Sequence, residues 1–146
     1  MEYKNIVKGK FISRPNRFIA EVEINGETVR CHVKNTGRCK ELLIPGTDVY
    51  MEDFAGRMRS RRLRYSLIAV TKGNTLINMD SQAPNKVVAE ALHSGTIQLP
   101  EMSELKAIKA EKTYGSSRLD FYVEDICGRQ GFIEVKGVTL EEDGIA

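Results

Sequence analysis

Alternating hydrophobic and polar residues mark the first half of the chain, which is the pattern of strands with one buried face. The alternation runs through 18–24 and again through 29–34, and Asn25-Gly26 between them is a strong signal for a two-residue hairpin turn. A turn there puts three hydrophobic pairs on one face: Val22 with Val29, Ala20 with Cys31 and Phe18 with Val33. The turn and the hydrophobic pattern therefore predict the same register.

Further short strands are predicted over 47–54, 62–69 and 75–79. The segment 35–46 is irregular and allows at most one helical turn, and 56–61 is predicted to be a loop. The alternation within 62–69 divides its first residues between two faces: Leu63, Tyr65 and Leu67 on one, and Arg62, Arg64 and Ser66 on the other. About five strands with one small insert predict an antiparallel barrel of the oligonucleotide-binding (OB) type.

The second half has a different pattern. Pro84-Asn85 is a favourable helix start, an apolar stripe continues to Leu92, and Gly95 is a suitable stop. Three strands are predicted after the helix: 105–114, 118–125 and 132–140. A helix followed by strands indicates a mixed α/β domain. We therefore expect a barrel at 1–80 and an α/β domain at 81–146.

The composition is that of a folded protein. The chain has 146 residues, of which 41% are hydrophobic and 29% charged, and such values are typical of a globular protein rather than a disordered one. Its apolar runs are too short to cross a bilayer, and its first residues lack the apolar segment of a signal peptide. A cytoplasmic protein without membrane association is therefore expected.

The cysteines indicate free thiols. There are three of them, an odd number, and no CxxC pair is present. Zinc bound by Cys31, His32 and Cys39 is disfavoured, because the spacing is not standard and supplies only three ligands. Cys31 is instead expected to be a small core residue.

Charge is unevenly distributed along the chain. Residues 1–80 have 15 Lys and Arg against 9 Asp and Glu, a net of +6, whereas 81–146 have a net of −4. A basic half suits a polyanionic partner such as DNA. The candidate nucleic-acid-binding residues are Arg14, Arg17, Lys34, Asn35, Arg38, Arg57, Arg59, Arg61, Arg62 and Arg64. The alternative is a solubilising surface, which is the commoner role of such charge runs.

Two of the predicted strands of the α/β domain contain charged residues that could form a metal site. Glu134 and Lys136 are two apart in a strand and so project from one face. A hairpin centred near Cys127 places Asp120 opposite Glu134, where the two carboxylates can share a hard cation such as Mg²⁺. Lys136 would then stabilise developing negative charge. Asp followed by Glu-x-Lys is the signature of a large group of metal-dependent nucleases, but the pattern is equally compatible with a structural Glu134–Lys136 ion pair.

Motifs along essentially the whole chain resemble the sugar fermentation stimulation protein (SfsA) family. They occur in the family's order: Asn35-Thr36-Gly37-Arg38 with Pro45-Gly46, Pro84-Asn85 with Glu90-Ala91-Leu92, Ser117-Arg118-Leu119-Asp120-Phe121, and Ile133-Glu134-Val135-Lys136-Gly137-Val138-Thr139-Leu140. The resemblance implies an OB-fold, then a nuclease-like domain of the PD-(D/E)xK type, and DNA binding without sequence preference. It also implies a catalytic site of Glu90, Asp120, Glu134 and Lys136, with Asp120 and Glu134 as ligands of Mg²⁺ or Mn²⁺.

Members of that family continue with a further loop, helix and strand. The resemblance therefore implies that the α/β domain is partial here, truncated at its C-terminus, with a sheet face left uncovered. Three functions remain open: a DNA-binding protein whose nuclease-like domain serves recognition or regulation, an active Mg²⁺-dependent nuclease, and a non-enzymatic protein-interaction module. The first two use the same residues, so the sequence does not separate them.

Overall fold

The computed structural model describes residues 1–139, which divide into two compact units. One unit is Glu2–Ser81, and the other is Gln82–Gly137 together with Met1. The strands of the first unit, within the described residues, are β1 (Ile6–Asn16), β2 (Ile19–Ile24), β3 (Glu27–Val33), β4 (Asp48–Asp53), β5 (Tyr65–Lys72) and β6 (Thr75–Asn78). The second unit contains α1 (Ala83–His93), β7 (Leu105–Tyr114), β8 (Ser117–Asp125) and β9 (Gln130–Ile133).

The first unit is a closed barrel. Its strands follow the order β3-β2-β1-β4-β5-β6, and a parallel pairing of β3 with β5 closes the ring. In that pairing Cys31 lies opposite Tyr65, and Val33 lies opposite Leu67. β6 pairs with β5 as an additional strand. The predicted OB-type barrel is confirmed, with β3–β5 as the one parallel pairing among the described strands.

The β2–β3 hairpin has the predicted register. Val22 pairs with Val29 and Ala20 pairs with Cys31, and burial raises the pKa of the Cys31 thiol to about 12. The prediction that Cys31 is a core residue is therefore confirmed. Phe18 departs from the pattern, because β2 begins one residue after it and its side chain is 45% exposed.

The hydrophobic pattern does not predict β1. Only two of its residues are fully buried, and one of them, Gly9, has no side chain to contribute to the alternation. A Cβ atom at Gly9 would lie 2.5 Å from Cγ1 of Val22, so the glycine allows β1 and β2 to approach closely. Phe11 is the other buried residue of β1, and it packs into the barrel core.

The predicted alternation at 62–69 is wrong in two respects. β5 begins at Tyr65, so Arg62 and Arg64 lie in the preceding loop. Ser66, assigned to the outer face, is fully buried, as are the four residues that follow it. The reason is that β5 pairs with β3 as well as with β4 and is covered on both faces, so it does not show the period of a half-exposed strand.

The second unit is an antiparallel sheet with one helix. β8 is the middle strand, between β7 and β9, and Leu92 of α1 packs against Phe121 and Val123 of β8. A proline lies in the first turn of α1, and Gly95 follows the helix at φ +71°, as the sequence predicts. α1 has 11 residues, and no helix within residues 1–139 combines the length and the apolar character needed to span a bilayer.

The last strand is shorter than predicted. Phe121 pairs with Ile133 and Tyr122 with Phe132, which confirms the hairpin centred near Cys127. β9 nevertheless ends at Ile133, so Glu134 and Lys136 lie outside the strand. Leu140, the predicted end of the strand, lies outside the described residues, as does the rest of 140–146.

Candidate functional site

Asp120 is held at the point where the β8–β9 pairing ends. Its Oδ2 atom accepts a hydrogen bond from the backbone N–H of Val135 at 2.7 Å, and its Oδ1 atom accepts one from Nδ2 of Asn85 at 2.7 Å. The carboxylate of Asp120 thus takes an N–H that would otherwise be available to extend a strand beyond Ile133. This contact gives the physical reason why the predicted strand 132–140 is interrupted.

Glu134 and Lys136 lie beside Asp120. Nζ of Lys136 is 2.5 Å from Oε1 of Glu134, and both side chains are substantially exposed. The backbone N–H of Val135 is the main cause that lowers the pKa of Asp120, although burial opposes it. Asn85, the charge of Lys136 and a hydrogen bond with Glu134 lower this pKa further. These interactions bring Asp120, Glu134 and Lys136 into one cluster, which we call the Asp120 cluster.

The backbone after the cluster passes the start of α1. A Cβ atom at Gly137 would lie 2.9 Å from Cγ of Pro84, which is closer than two such carbons can approach. Glycine at this position therefore allows residues 134–137 to run against the first turn of the helix. The same turn carries Asn85, so α1 fixes Asp120 through its side chain and residues 134–137 through backbone contact.

Glu90 belongs to a different surface. Its carboxylate forms an ion pair with the N-terminal ammonium of Met1, and its side chain is 59% exposed. Asn85, which contacts Asp120, lies five residues earlier in α1, and five residues correspond to roughly 140° around a helix axis. The structure therefore does not unite Glu90 with the Asp120 cluster as the sequence predicts.

Asn85 is the member of the cluster that sequence reasoning did not assign to the site. It was identified only as a helix-start residue in a motif. A carboxamide at the start of a helix next to Pro84 is commonly a turn or capping residue, so the residue type alone gives no functional signal. Its contact with Asp120 depends on how α1 packs on β8, which the pattern of the chain does not specify.

The Asp120 cluster offers two carboxylates to a cation. Within residues 1–139, no group of three or more His, Cys, Asp or Glu side chains is arranged to hold a metal ion. Hard cations such as Mg²⁺ are often held by one or two carboxylates, with waters and phosphate oxygens completing the shell. The oxygen-only donor pair of Asp120 and Glu134 fits such a cation, with Lys136 beside it as a positive charge.

The candidate nucleic-acid residues of the barrel fall into two groups. The first group has exposed side chains that find no hydrogen-bond or ion-pair partner among residues 1–139: Arg17, Arg38, Arg59 and Arg62. Arg17 only lies over the ring of Phe18, 4.7 Å from its centroid. These four arginines are the ones whose guanidinium groups are free to contact a phosphate.

Arg14 belongs to the second group, whose side chains serve the fold. Its Nη1 donates to the carbonyls of Gly37 and Arg38 at 2.6 and 2.8 Å. Its Nη2 donates to those of Arg17 and Asn35, both at 2.7 Å. One guanidinium thus ties the β1–β2 turn to the irregular segment after β3.

Lys34 and Asn35 also have structural partners. Nζ of Lys34 is 2.5 Å from Oδ2 of Asp80, and the two side chains are only 14% and 0% exposed. Oδ1 of Asn35 accepts the N–H of Gly37 at 2.8 Å, which closes a turn. Both residues are therefore engaged in positions where a phosphate would have to compete with an intramolecular partner.

The arginine-rich loop is ordered by three of its own arginines. The guanidinium carbons of Arg57 and Arg61 lie 4.7 and 3.7 Å from the ring centroid of Phe54. Arg64 forms two hydrogen bonds with the carboxylate of Asp53, at 2.7 and 2.6 Å. The Arg64 guanidinium is the main cause that lowers the pKa of Asp53. These contacts hold the loop so that its remaining arginines face solvent.

Comparisons with known proteins agree with this two-part architecture. Residues 12–79 match the family model described as the SfsA N-terminal OB domain, and residues 82–146 match that of the sugar fermentation stimulation protein RE domain. The sugar fermentation stimulation protein homolog of Desulfitobacterium hafniense (strain Y51) is 56% identical over 146 residues, which are 100% of this chain and 60% of that protein. The chain belongs to the sugar fermentation stimulation protein family.

Other members show the same extent of similarity. The homolog of Ruminiclostridium cellulolyticum is 56% identical over 146 residues, 100% of this chain and 62% of its own length. The solved structure of Pyrococcus furiosus SfsA in complex with Ca²⁺ superposes with a TM-score of 0.80 at 31% identity, over 97% of this chain and 58% of that one. The chain thus spans about 60% of the length of the curated SfsA relatives that it matches.

The family membership settles the second domain class. The α/β unit corresponds to part of a restriction-endonuclease-like domain, as the PD-(D/E)xK resemblance implies. β8 and β9, which carry and flank the Asp120 cluster, both lie inside that match.

Proposed function

We propose that the barrel binds nucleic acid through its phosphates, without sequence preference. The observation that supports this most directly is the set of four exposed arginines without intramolecular partners, two of which lie on a loop that the other loop arginines hold in place. Arginines presented in this way contact phosphate oxygens well and do not distinguish bases. Both the solubilising surface and the protein-interaction module predict that these arginines are dispensable for nucleic-acid affinity.

A gel-shift titration across salt concentrations tests the proposal. Replacing Arg17, Arg38, Arg59 and Arg62 with Gln should weaken binding to all DNA sequences alike. Because each lost phosphate contact releases fewer counterions, the slope of log K against log salt should fall by about 0.7–0.9 per contact. The matched control replaces four exposed lysines of the α/β unit with Gln: Lys86, Lys106, Lys109 and Lys112.

The control removes the same charge from the other unit. If both quadruple variants lose affinity equally, the effect is one of net charge and the assignment to the barrel is wrong. Binding that does not depend on salt would also contradict the proposal.

A second function is favoured by the Asp120 cluster, namely divalent-metal binding at a nuclease-like phosphodiester site. We infer that Asp120 and Glu134 supply the carboxylate ligands. Asn85 and the N–H of Val135 orient the Asp120 carboxylate and leave each of its oxygens with a further lone pair for a cation. The Ca²⁺ complex of the Pyrococcus relative is consistent with this inference.

The cluster also has the groups that phosphodiester hydrolysis needs. A divalent cation in such a site offsets the negative charge of the phosphate and activates water. The ammonium of Lys136 lies beside Glu134 on an exposed side chain, so it can turn to a phosphate oxygen and stabilise charge that develops there. Whether this member of the family cleaves nucleic acid or only binds it is decided by assay.

Calorimetric titration with Ca²⁺ and then Mg²⁺ tests the metal site. Asp120→Asn should weaken binding about ten-fold or more, because the amide replaces one of only two carboxylate ligands. Glu104→Gln is the matched control, since it removes an exposed carboxylate elsewhere in the same unit. Equal affinities of all three proteins would contradict the metal assignment.

A further inference from the structure

The barrel has a cleft of about 440 Å³ beside the β2–β3 hairpin. It is lined by Ile19, Arg30, His32, Arg61, Arg62 and Leu63. Ile19 and His32 are direct partners in the β2–β3 ladder, on the face opposite the buried Ala20 and Cys31. Parallel pairing of β3 with β5 brings the residues before β5 alongside this face, which is why 61–63 complete the cleft.

The cleft combines an apolar floor with a cationic rim. Ile19 and Leu63 are aliphatic and half-buried, and none of the six lining residues is acidic. Aliphatic side chains with an exposed edge suit the flat face of an aromatic ring, while the rim suits a negative charge close to that ring. A nucleotide has both features in one unit.

The rim arginines differ in their freedom. Arg30 is paired with Glu21 at 3.3 Å, and Arg61 donates to the hydroxyl of Ser66 at 2.5 Å while lying over Phe54. Arg62 is exposed and finds no such partner in the described chain. Two arginines are thus fixed parts of the wall, and the third can close on a phosphate.

His32 adds a polar group at the edge of the apolar floor. Burial is the main cause that lowers its pKa, and the charges of Arg61 and Lys34 lower it further, against the opposing effect of Asp80. The ring is therefore neutral near pH 7 and presents one donor and one acceptor nitrogen. Such a ring can meet the hydrogen-bonding edge of any base, which agrees with binding that lacks sequence preference.

We propose that this cleft holds one unpaired base of single-stranded nucleic acid, with Arg62 on the adjacent phosphate. The proposal rests on the nucleic-acid function proposed for the barrel and specifies its substrate as single-stranded. A base can enter the cleft only when its face and edge are accessible, whereas in a duplex both are hidden by stacking and pairing. DNA and RNA share this chemistry, so the test includes both.

Fluorescence anisotropy with labelled oligomers of about 15 nucleotides separates the possibilities, since this length covers one OB-type barrel. The probes are oligo-dT, oligo-rU and an abasic deoxyribose-phosphate oligomer of equal length. Oligo-dT or oligo-rU should bind about ten-fold more tightly than the abasic oligomer. The tighter of the two identifies the preferred sugar.

The abasic oligomer distinguishes failure of this proposal from failure of the function on which it rests. Equal affinity for base-bearing and abasic oligomers overturns the base-binding cleft while the phosphate-binding function stands. No binding of any oligomer overturns both. This comparison uses the unchanged protein and therefore does not depend on whether a variant folds.

Variants then locate the base. Leu63→Ser should lower oligo-dT affinity to the abasic level, and should leave the affinity for the abasic oligomer and for duplex DNA unchanged. Leu76→Ser is the matched control, because Leu76 is a 59% exposed leucine on β6 outside the cleft. A Leu63→Ser protein that keeps its preference for the base-bearing oligomer would show that the base binds elsewhere.

Discussion

Oδ2 of Asp120 accepts the backbone N–H of Val135 at 2.7 Å, at the point where the β8–β9 ladder stops. This one bond has two effects. It releases Glu134 and Lys136 from the strand, and it is the main cause that lowers the pKa of Asp120. The residue that ends the strand is thus also the residue around which the charged cluster forms.

The Asp120 carboxylate should make the stability of the α/β unit dependent on pH. Because the pKa of Asp120 is lower in the folded state, its contribution is present above the unfolded pKa and is lost as pH falls through the folded pKa. Asp120→Asn should therefore cost about 1–2 kcal/mol of unfolding free energy at pH 7 and much less at pH 3. Urea unfolding at the two pH values measures this.

The Glu104→Gln protein serves as the control for the pH series. Its free energy of unfolding should stay within about 0.5 kcal/mol of the parent protein at pH 7, as for most surface changes. A difference between Asp120→Asn and the parent that is the same at pH 7 and pH 3 would mean that the charge of Asp120 is not the cause.

Gly137→Ala should disturb the cluster from a distance. The new methyl group would lie 2.9 Å from Cγ of Pro84, and neither the ring nor the backbone can yield without movement. Overpacking of this kind costs about 1–3 kcal/mol. The displaced segment carries Glu134 and Lys136, so metal affinity should fall together with stability.

A second substitution decides whether the clash is the cause. Pro84→Ala removes the ring, so the Pro84→Ala/Gly137→Ala double variant should recover part of the stability that Gly137→Ala loses. A thermodynamic cycle of the four proteins gives the coupling energy. Strict additivity of the two changes would contradict the close approach of Gly137 to Pro84.

Arg14 and Arg17 should separate stability from binding. Arg14 serves four backbone carbonyls, so Arg14→Ala should lower the unfolding free energy of the barrel by about 2–3 kcal/mol. Arg17 is exposed, so Arg17→Ala should leave stability nearly unchanged and weaken DNA binding at low salt. Thermal melts and gel shifts of both proteins test the pair, and the reverse outcome would show that the two roles are exchanged.

The sequence predicts register well and partners poorly. The Asn25-Gly26 turn and the centre at Cys127 predict the pairings of both hairpins, because local turn geometry and period-two burial determine them. The end of β9 is not predictable in this way, since it depends on a contact between Asp120 and a residue 15 positions later. Long-range contacts of side chains are not encoded in any local period.

The same limit applies to the arginines. As residue types, Arg14, Arg62 and Arg64 are equal candidates for phosphate binding. The structure separates them by the carbonyls and carboxylates that surround each guanidinium. Those neighbours come from segments distant in the chain, so only the fold distinguishes an arginine that stabilises the barrel from one that is free to bind.

Lys136→Gln should separate metal binding from phosphodiester chemistry. Lys136 contributes no ligand to a cation and lies beside both carboxylates, so its replacement should leave the affinity for Ca²⁺ unchanged or slightly higher. Any cleavage of single-stranded or plasmid DNA with Mg²⁺ or Mn²⁺ should be lost, because the lysine would act on the phosphate. Asp120→Asn should instead lose both properties. If Lys136 only forms a structural pair with Glu134, neither substitution will alter metal binding, and calorimetry alone then refutes the metal site. If both substitutions reduce metal binding equally, Lys136 acts by holding Glu134 in place rather than through the phosphate.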